Sequence, residues 1–127
     1  MVDLTVDKII AVQIRIIEAS GHQEDEGTRG LVRDFGTLDF LVDEANYIKD
    51  PYRKAARVLY GIAAQHPFFQ GNKRTALTVA EMILMLEEGS YIAAEEEAID
   101  LYIREVADYQ HTLEDVEYWV RENCQKM

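Results

Sequence analysis

His66-Pro67-Phe68-Phe69-Gln70-Gly71-Asn72-Lys73-Arg74 runs straight into Thr75-Ala76-Leu77-Thr78-Val79-Ala80-Glu81-Met82-Ile83-Leu84-Met85-Leu86. The second part is apolar at Ala76, Leu77, Val79, Ala80, Met82, Ile83, Leu84 and Leu86, with Gly89 as a stop. A helix apolar nearly all round belongs in the middle of a bundle, which makes this the expected central helix. The first part is a turn carrying a histidine and two cations. Taken alone, Gly-Asn before a helix is common capping chemistry, and a lone histidine is most often a surface or satisfied core residue. In this order they also outline a site. A helix start leaves backbone N–H groups unpaired at a partial positive charge and so receives anions. Lys73 and Arg74 add full charges there, and imidazole is the side chain whose ordinary range suits proton abstraction near neutrality.

The charge distribution favours the site. The chain has 13 Lys and Arg against 24 Asp and Glu, a net charge of −11. From Pro51 through Ala80 there is no acidic residue, while Arg53, Lys54, Arg57, Lys73 and Arg74 are basic. A cationic island in an acidic protein fits a local phosphate pocket better than a general polyanion surface. The overall charge argues against direct nucleic-acid or anionic-membrane binding, which need broad positive faces.

At 127 residues and 48% hydrophobic content the chain reads as one folded domain, residues 1–127, with helices interrupted by only two prolines. One cysteine, Cys124, permits no internal disulfide and reads as a free structural thiol of a reducing compartment. No apolar run reaches a membrane span and the first residues carry no signal-peptide pattern, so the expected location is cytoplasmic.

Working outward, Thr5 caps a first helix whose apolar residues Ile9, Ile10, Val12, Ile14, Ile16 and Ile17 end at Ser20-Gly21. Residues 21–36 form a loop with a weak strand signal over Leu31–Phe35. Thr37 is expected to cap a short second helix reaching Glu44-Ala45. Asp50-Pro51 starts a third, running to about Gln65 with Ala55, Val58, Leu59 and Ile62 inward. Ser90-Tyr91-Ile92 reads as an extended link, followed by helices near Ala94–Tyr109 and Thr112–Gln125. In these last two, Glu95-Glu96-Glu97 is a solvated negative first turn, Tyr118 and Trp119 are packing residues, and His22 and His111 read as surface residues. The fold class is all-α.

His66-x-Phe68-x-x-Gly71-Asn72-Lys73-Arg74 resembles the signature of the Fic/Doc superfamily, and Lys73, with Thr75-Ala76-Leu77 after Arg74, resembles its death-on-curing (Doc) branch. Gly30-Leu31-Val32-Arg33-Asp34-Phe35-Gly36-Thr37-Leu38 also looks like the segment Doc proteins place before their second helix. The resemblance implies a bundle of about six helices around a buried central helix, with a short β-like flap. It implies a protein-modifying transferase. Doc-like toxins transfer the terminal phosphate of ATP to a hydroxyl of a target protein, in the known case a threonine of elongation factor Tu. Fic proteins transfer a nucleotidyl group instead, and Leu77 stands where they usually place a second arginine. Carried over, His66 is the general base. Gly71, Asn72, Lys73 and Arg74 hold phosphate, and Lys73 and Arg74 neutralise developing charge. Phe68 anchors the loop, and Gly30, Leu31, Val32 and Arg33 belong to a flap that docks the target segment by strand addition.

Gln70 departs from the pattern, because the family nearly always has Asp or Glu there to hold Mg²⁺ and an amide oxygen is a weaker ligand. Three readings follow: a metal held by nucleotide phosphates with Asn72 and, weakly, Gln70; altered chemistry; or a nucleotide- or antitoxin-binding module without turnover. Retained activity is favoured because His66, Lys73 and Arg74 are present. The family's self-inhibitory (Ser/Thr)-x-x-x-Glu-(Gly/Asn) pattern has no match: Asp25 follows Ser20…Glu24, and Leu84 precedes Glu88-Gly89. The implied restraint is a small antitoxin that folds on binding.

Overall fold

The computed structural model describes residues 2–127 and is a six-helix bundle with one small sheet. The helices are α1 (Val6–Ser20), α2 (Phe35–Tyr47), α3 (Pro51–Gln65), α4 (Asn72–Ile83), α5 (Glu96–Ala107) and α6 (Leu113–Asn123). A 3₁₀ turn spans Gln23–Asp25, and a π-helical turn, Leu84–Glu88, extends α4 to Gly89. Strands β1 (Ser90–Ile92) and β2 (Cys124–Lys126) pair antiparallel with Tyr91 opposite Gln125.

Start signals act as the residue types dictate. Thr5 accepts from the Lys8 amide, Asp50 from those of Tyr52 and Arg53 ahead of Pro51, and Thr112 forms a capping box with Asp115. The second helix starts earlier than expected. Asp34 is its cap, accepting from Thr37 N at 3.1 Å, and Thr37 is the capped residue. The expected strand over 31–35 reduces to a single bridge, Val32 with Phe68, so the flap is β-like at one residue pair. The last helix stops at Asn123 instead of Gln125, because 124–126 take up pairing with β1, and α5 is shorter at both ends than the 94–109 expected.

The central helix is α3, where α4 was expected. Ten of its fifteen residues are buried, and it packs against α2, α4, α5 and α6. Its alanines and Gly61 allow this close approach. A Cβ at Gly61 would come within 2.7 Å of Leu41 Cδ1 and of Arg57 Nη1. Helix α4 lies against α3 on one side and α1 on the other, but Met82, Met85 and Leu86 on its outer side stay exposed. Apolar periodicity cannot separate a helix buried all round from one whose last apolar face is left open.

Cations expected to gather around a phosphate are mostly spent on the fold. Lys54 is buried and bonds to Glu87 at 2.7 Å and to the Val2 carbonyl. Arg57 is buried against Glu44, and Arg53 meets Glu117 at 3.1 Å. The cationic island is therefore a sequence feature that the fold disperses. Trp119 packs as expected, stacked on Tyr102 with ring centroids 4.3 Å apart, but Tyr118 is exposed. His111 is half-buried, stacked on the other face of Tyr102 and 2.8 Å from Glu105, where a surface residue was expected. Cys124 is a free, half-buried thiol whose pKa is raised by burial and then by Glu81. No helix of the described chain is long and apolar enough to cross a membrane.

Candidate active site

The nine-residue stretch connects the end of α3 to the start of α4, and each end is fixed differently. At the α3 end, His66 occupies the C-cap in the left-handed region, φ 50° and ψ 60°, where a side chain carries strain. Arg33 holds this end by donating Nε to the His66 carbonyl at 2.8 Å and Nη2 to that of Gln65 at 2.9 Å. A cation on the last carbonyls of a helix also suits the negative end of its dipole. The amides of Arg33 and Asp34 both reach Pro67 O, at 2.7 and 3.0 Å. The flap is therefore already paired to the motif loop along this edge.

Between the ends, Phe68 is 1% exposed and plugs the core. Asn72 buckles the loop around it: Oδ1 accepts from Phe68 N and Nδ2 donates to Phe68 O, both at 2.9 Å. Its side chain is thus a structural clasp, and what Asn72 offers a ligand is its backbone amide. Gly71 is the left-handed N-cap of α4 at φ 82°, and a Cβ there would meet Ile17 Cδ1 at 3.2 Å, so both backbone and space call for glycine. No side chain caps α4. The amides of its first turn therefore stay open to an anion, beside an exposed Lys73 that forms no ion pair among the described residues.

Three residues outside the motif complete the site, and sequence reading missed the role of each. Gln13 is fully buried on α1. Its Nε2 lies 3.2 Å from both Thr28 O and Gln70 O, and its Oε1 accepts from Gly30 N at 2.8 Å. One amide thus ties α1, the flap and the motif loop together. A polar residue on the stripe of Ile9 and Ile17 was the available signal. Asp25 is 2% exposed and accepts from Arg74 Nη2 at 3.0 Å. Burial alone would raise its pKa, but the Arg74 guanidinium beside it helps to hold the carboxyl below the usual range. Arg33, assigned in advance only to docking, is the clamp described above.

A cleft of about 640 Å³ opens beside the cradle between α4 and the start of α5. Its lining combines the cations Lys73 and Arg74, apolar Leu77, Ile99 and Ile103, and the acids Glu81, Glu96, Glu97 and Asp100. Burial raises the pKa of Glu81. His66 is not among the residues that line this cleft.

The residues present do not fit a resident Mg²⁺. Position 70 offers an amide, Oδ1 of Asn72 is bonded to Phe68, and Asp25 is committed to Arg74. No group of three or more His, Cys, Asp or Glu gathers to hold a metal among the described residues.

A histidine on the same loop as an uncapped helix start, with a cleft alongside, is an arrangement that can serve group transfer. A model of the Fic/DOC family matches residues 3–84, which span α1 to the start of the π turn and contain the cradle, the flap and His66. Helices α5 and α6 and the sheet lie outside the matched stretch. No curated protein matches the chain. The matched stretch covers more than half of the sequence, and the chain belongs to the Fic/DOC family.

Proposed function

We propose that the protein is a Doc-like phosphotransferase acting on a protein hydroxyl, restrained by a small partner chain. Family membership supports a protein-modifying transferase in general. The observation that carries the finer reading is the start of α4: an uncapped helix N-terminus flanked by Lys73 and Arg74, with apolar Leu77 one turn on. Two adjacent cations suit a terminal phosphate. With Leu77 in the next turn there is no second arginine to hold further phosphates of a nucleotidyl donor. His66 takes the acceptor proton, the freed oxygen forms a bond to the terminal phosphorus of ATP, and the bond to the bridging oxygen breaks to release ADP. The open amides of α4 with Lys73 and Arg74 hold the charge that develops. The carboxylates of Glu97 and Asp100 match hydrogen-bond donors such as ribose hydroxyls, so the nucleoside end belongs beside them in the cleft. ATP is the donor. Any divalent ion arrives with it.

The partner reading rests on the outer side of α1 and α4. Ala11, Val12, Ile16, Ala19 and Met82 line an apolar groove, and Lys8 and Arg15 stand at its edge without a carboxylate partner among the described residues. In a chain with 24 acidic residues, two cations left without carboxylate partners beside an apolar groove suit an acidic amphipathic segment that folds on binding.

The test is mass spectrometry of a candidate acceptor, elongation factor Tu first and then whole lysate, after incubation with the protein, ATP and Mg²⁺. A gain of one phosphate that His66→Ala abolishes is expected. A gain of a nucleotidyl group moves the protein to the Fic reaction. Absence of any adduct, with ATP still bound, favours a binding module disabled at Gln70.

A further inference from the structure

Asp25, on the turn after α1, is a buried acid, 2% exposed. Its Oδ2 meets Arg74 Nη2 at 3.0 Å, while its Oδ1 is buried with no hydrogen-bond partner. A buried carboxylate that is half-satisfied costs stability unless its counterion stays in place. The turn that carries it is not free to swing away. Asp25 O accepts from Thr28 N at 3.1 Å and from Thr28 Oγ1 at 2.6 Å. Thr28 O in turn accepts from Gln13, whose amide also reaches Gln70 O in the motif loop. The turn that carries the carboxylate and the loop it serves are joined through one partly buried hydrogen-bond relay.

Arg74 stands between two environments. Its side chain is 44% exposed and lines the cleft, and the bond to Asp25 uses only one of its terminal nitrogens. The remaining N–H groups are available to a ligand. Such a pair could withdraw the arginine from the site or fix it in the site. Withdrawal requires release when a phosphate binds, and release would leave Asp25 as an uncompensated charge in the interior. A releasing carboxylate belongs on an exposed, movable segment, and Asp25 is neither exposed nor loosely tied.

We propose that Asp25 is a positioning residue: it holds one edge of the Arg74 guanidinium while the other N–H groups face a phosphate in the α4 cradle, and the pair persists in the ligated state. Without it, a half-exposed arginine must be ordered at the moment of binding, which erodes preorganisation. The phosphate part of the proposal rests on the function proposed above; the ordering of Arg74 does not.

The test is a double-mutant cycle of Asp25→Asn, Arg74→Ala and the double variant, with ATP affinity by calorimetry and thermal unfolding on each. It is paired with the Arg74 Nε–H signal and its order by NMR in the wild type and Asp25→Asn. Asp25→Asn should mobilise Arg74 and weaken ATP binding about tenfold, with no further loss once Arg74 is alanine. Equal losses in both backgrounds would show that Asp25 acts only through the fold, and tighter binding or faster transfer in Asp25→Asn would show a lock; either overturns the proposal. Unchanged Arg74 order overturns it whatever the ligand. Wild-type protein that fails to bind ATP, with Arg74 ordered only when Asp25 is present, sinks the kinase reading and leaves the ordering role standing.

Discussion

His66 holds a conformation that its side chain disfavours, at the position where helices most often end in glycine. Strain retained at a candidate base is consistent with a backbone set by the site and not by the helix. His66→Gly should therefore stabilise the fold by about 1 kcal/mol in chemical denaturation, since left-handed backbone costs roughly that for a residue with a Cβ, while transfer is lost. A destabilised variant would mean that the imidazole packs as well as reacts. The Asn72 clasp onto Phe68 was not foreseen, since Asn72 was assigned to phosphate and metal, but Gly71-Asn72 was legible in advance as a turn before a helix. Gln13 and Asp25 were not, because their partners lie 57 and 49 positions away. No local pattern encodes such a pairing. The hydrogen-bond relay that links Gln13 and Asp25 exists only once α1, the flap and the loop have met.

At the scale of elements, α1 and α3 were readable from caps and periodicity, and the C-terminal part was readable only in outline. Tyr102 shows why. It lies between His111 and Trp119, stacked on both, and its hydroxyl is buried with no partner. Burial, with Asp115 and Glu105 nearby, pushes its pKa up to about 12. Three aromatic residues from α5, the turn and α6 form one column, yet nothing in their spacing announces it. Tyr102→Phe keeps the column and removes the unpartnered oxygen, so it should leave stability unchanged or raise it by about 1 kcal/mol. Thermal unfolding decides, and a clear loss would reveal a bridging water. The π turn after α4 is the other element no pattern foretold. Glu87 on this turn meets Lys54, with both side chains buried. Lys54→Met should cost about 3–5 kcal/mol by stranding Glu87, and adding Glu87→Leu should recover most of it. Urea denaturation of the single and double variants measures the difference.

For the whole molecule, acid is the revealing variable. Asp34 is held below the ordinary 3.8 by the Thr37 hydroxyl and amide, and Asp115 by the Thr112 amide and hydroxyl. For Asp50 and Asp25 burial pulls upward, but Arg121 with the first amides of α3 and Arg74, respectively, hold the carboxyls down. A carboxyl whose folded pKa lies below its unfolded one stabilises fully above the unfolded value. That contribution disappears as pH falls through the folded one. Glu81, raised by burial, runs the other way and relieves a cost as it protonates. Four groups against one predict a melting temperature that is flat near neutrality and falls below about pH 4. Asp50→Asn should lower the plateau and soften the fall, as thermal unfolding across pH 3–7 will show. The all-α class was legible at this scale because caps and apolar faces repeat along the chain. The choice of α3 as the centre was not, since composition does not say which face a neighbour covers.

Because the amide of Gln13 ties α1 to both the flap and the motif loop, residues 66–74 have no cradle of their own to offer outside the folded bundle. Binding and global folding are thus thermodynamically linked, and anything that fills the cradle draws on the cohesion of the entire bundle. A ligand at ten times its dissociation constant adds about 1.4 kcal/mol to the unfolding free energy. The melting curve is itself an assay, open to any nucleotide or phosphoester, that needs no acceptor protein and no turnover.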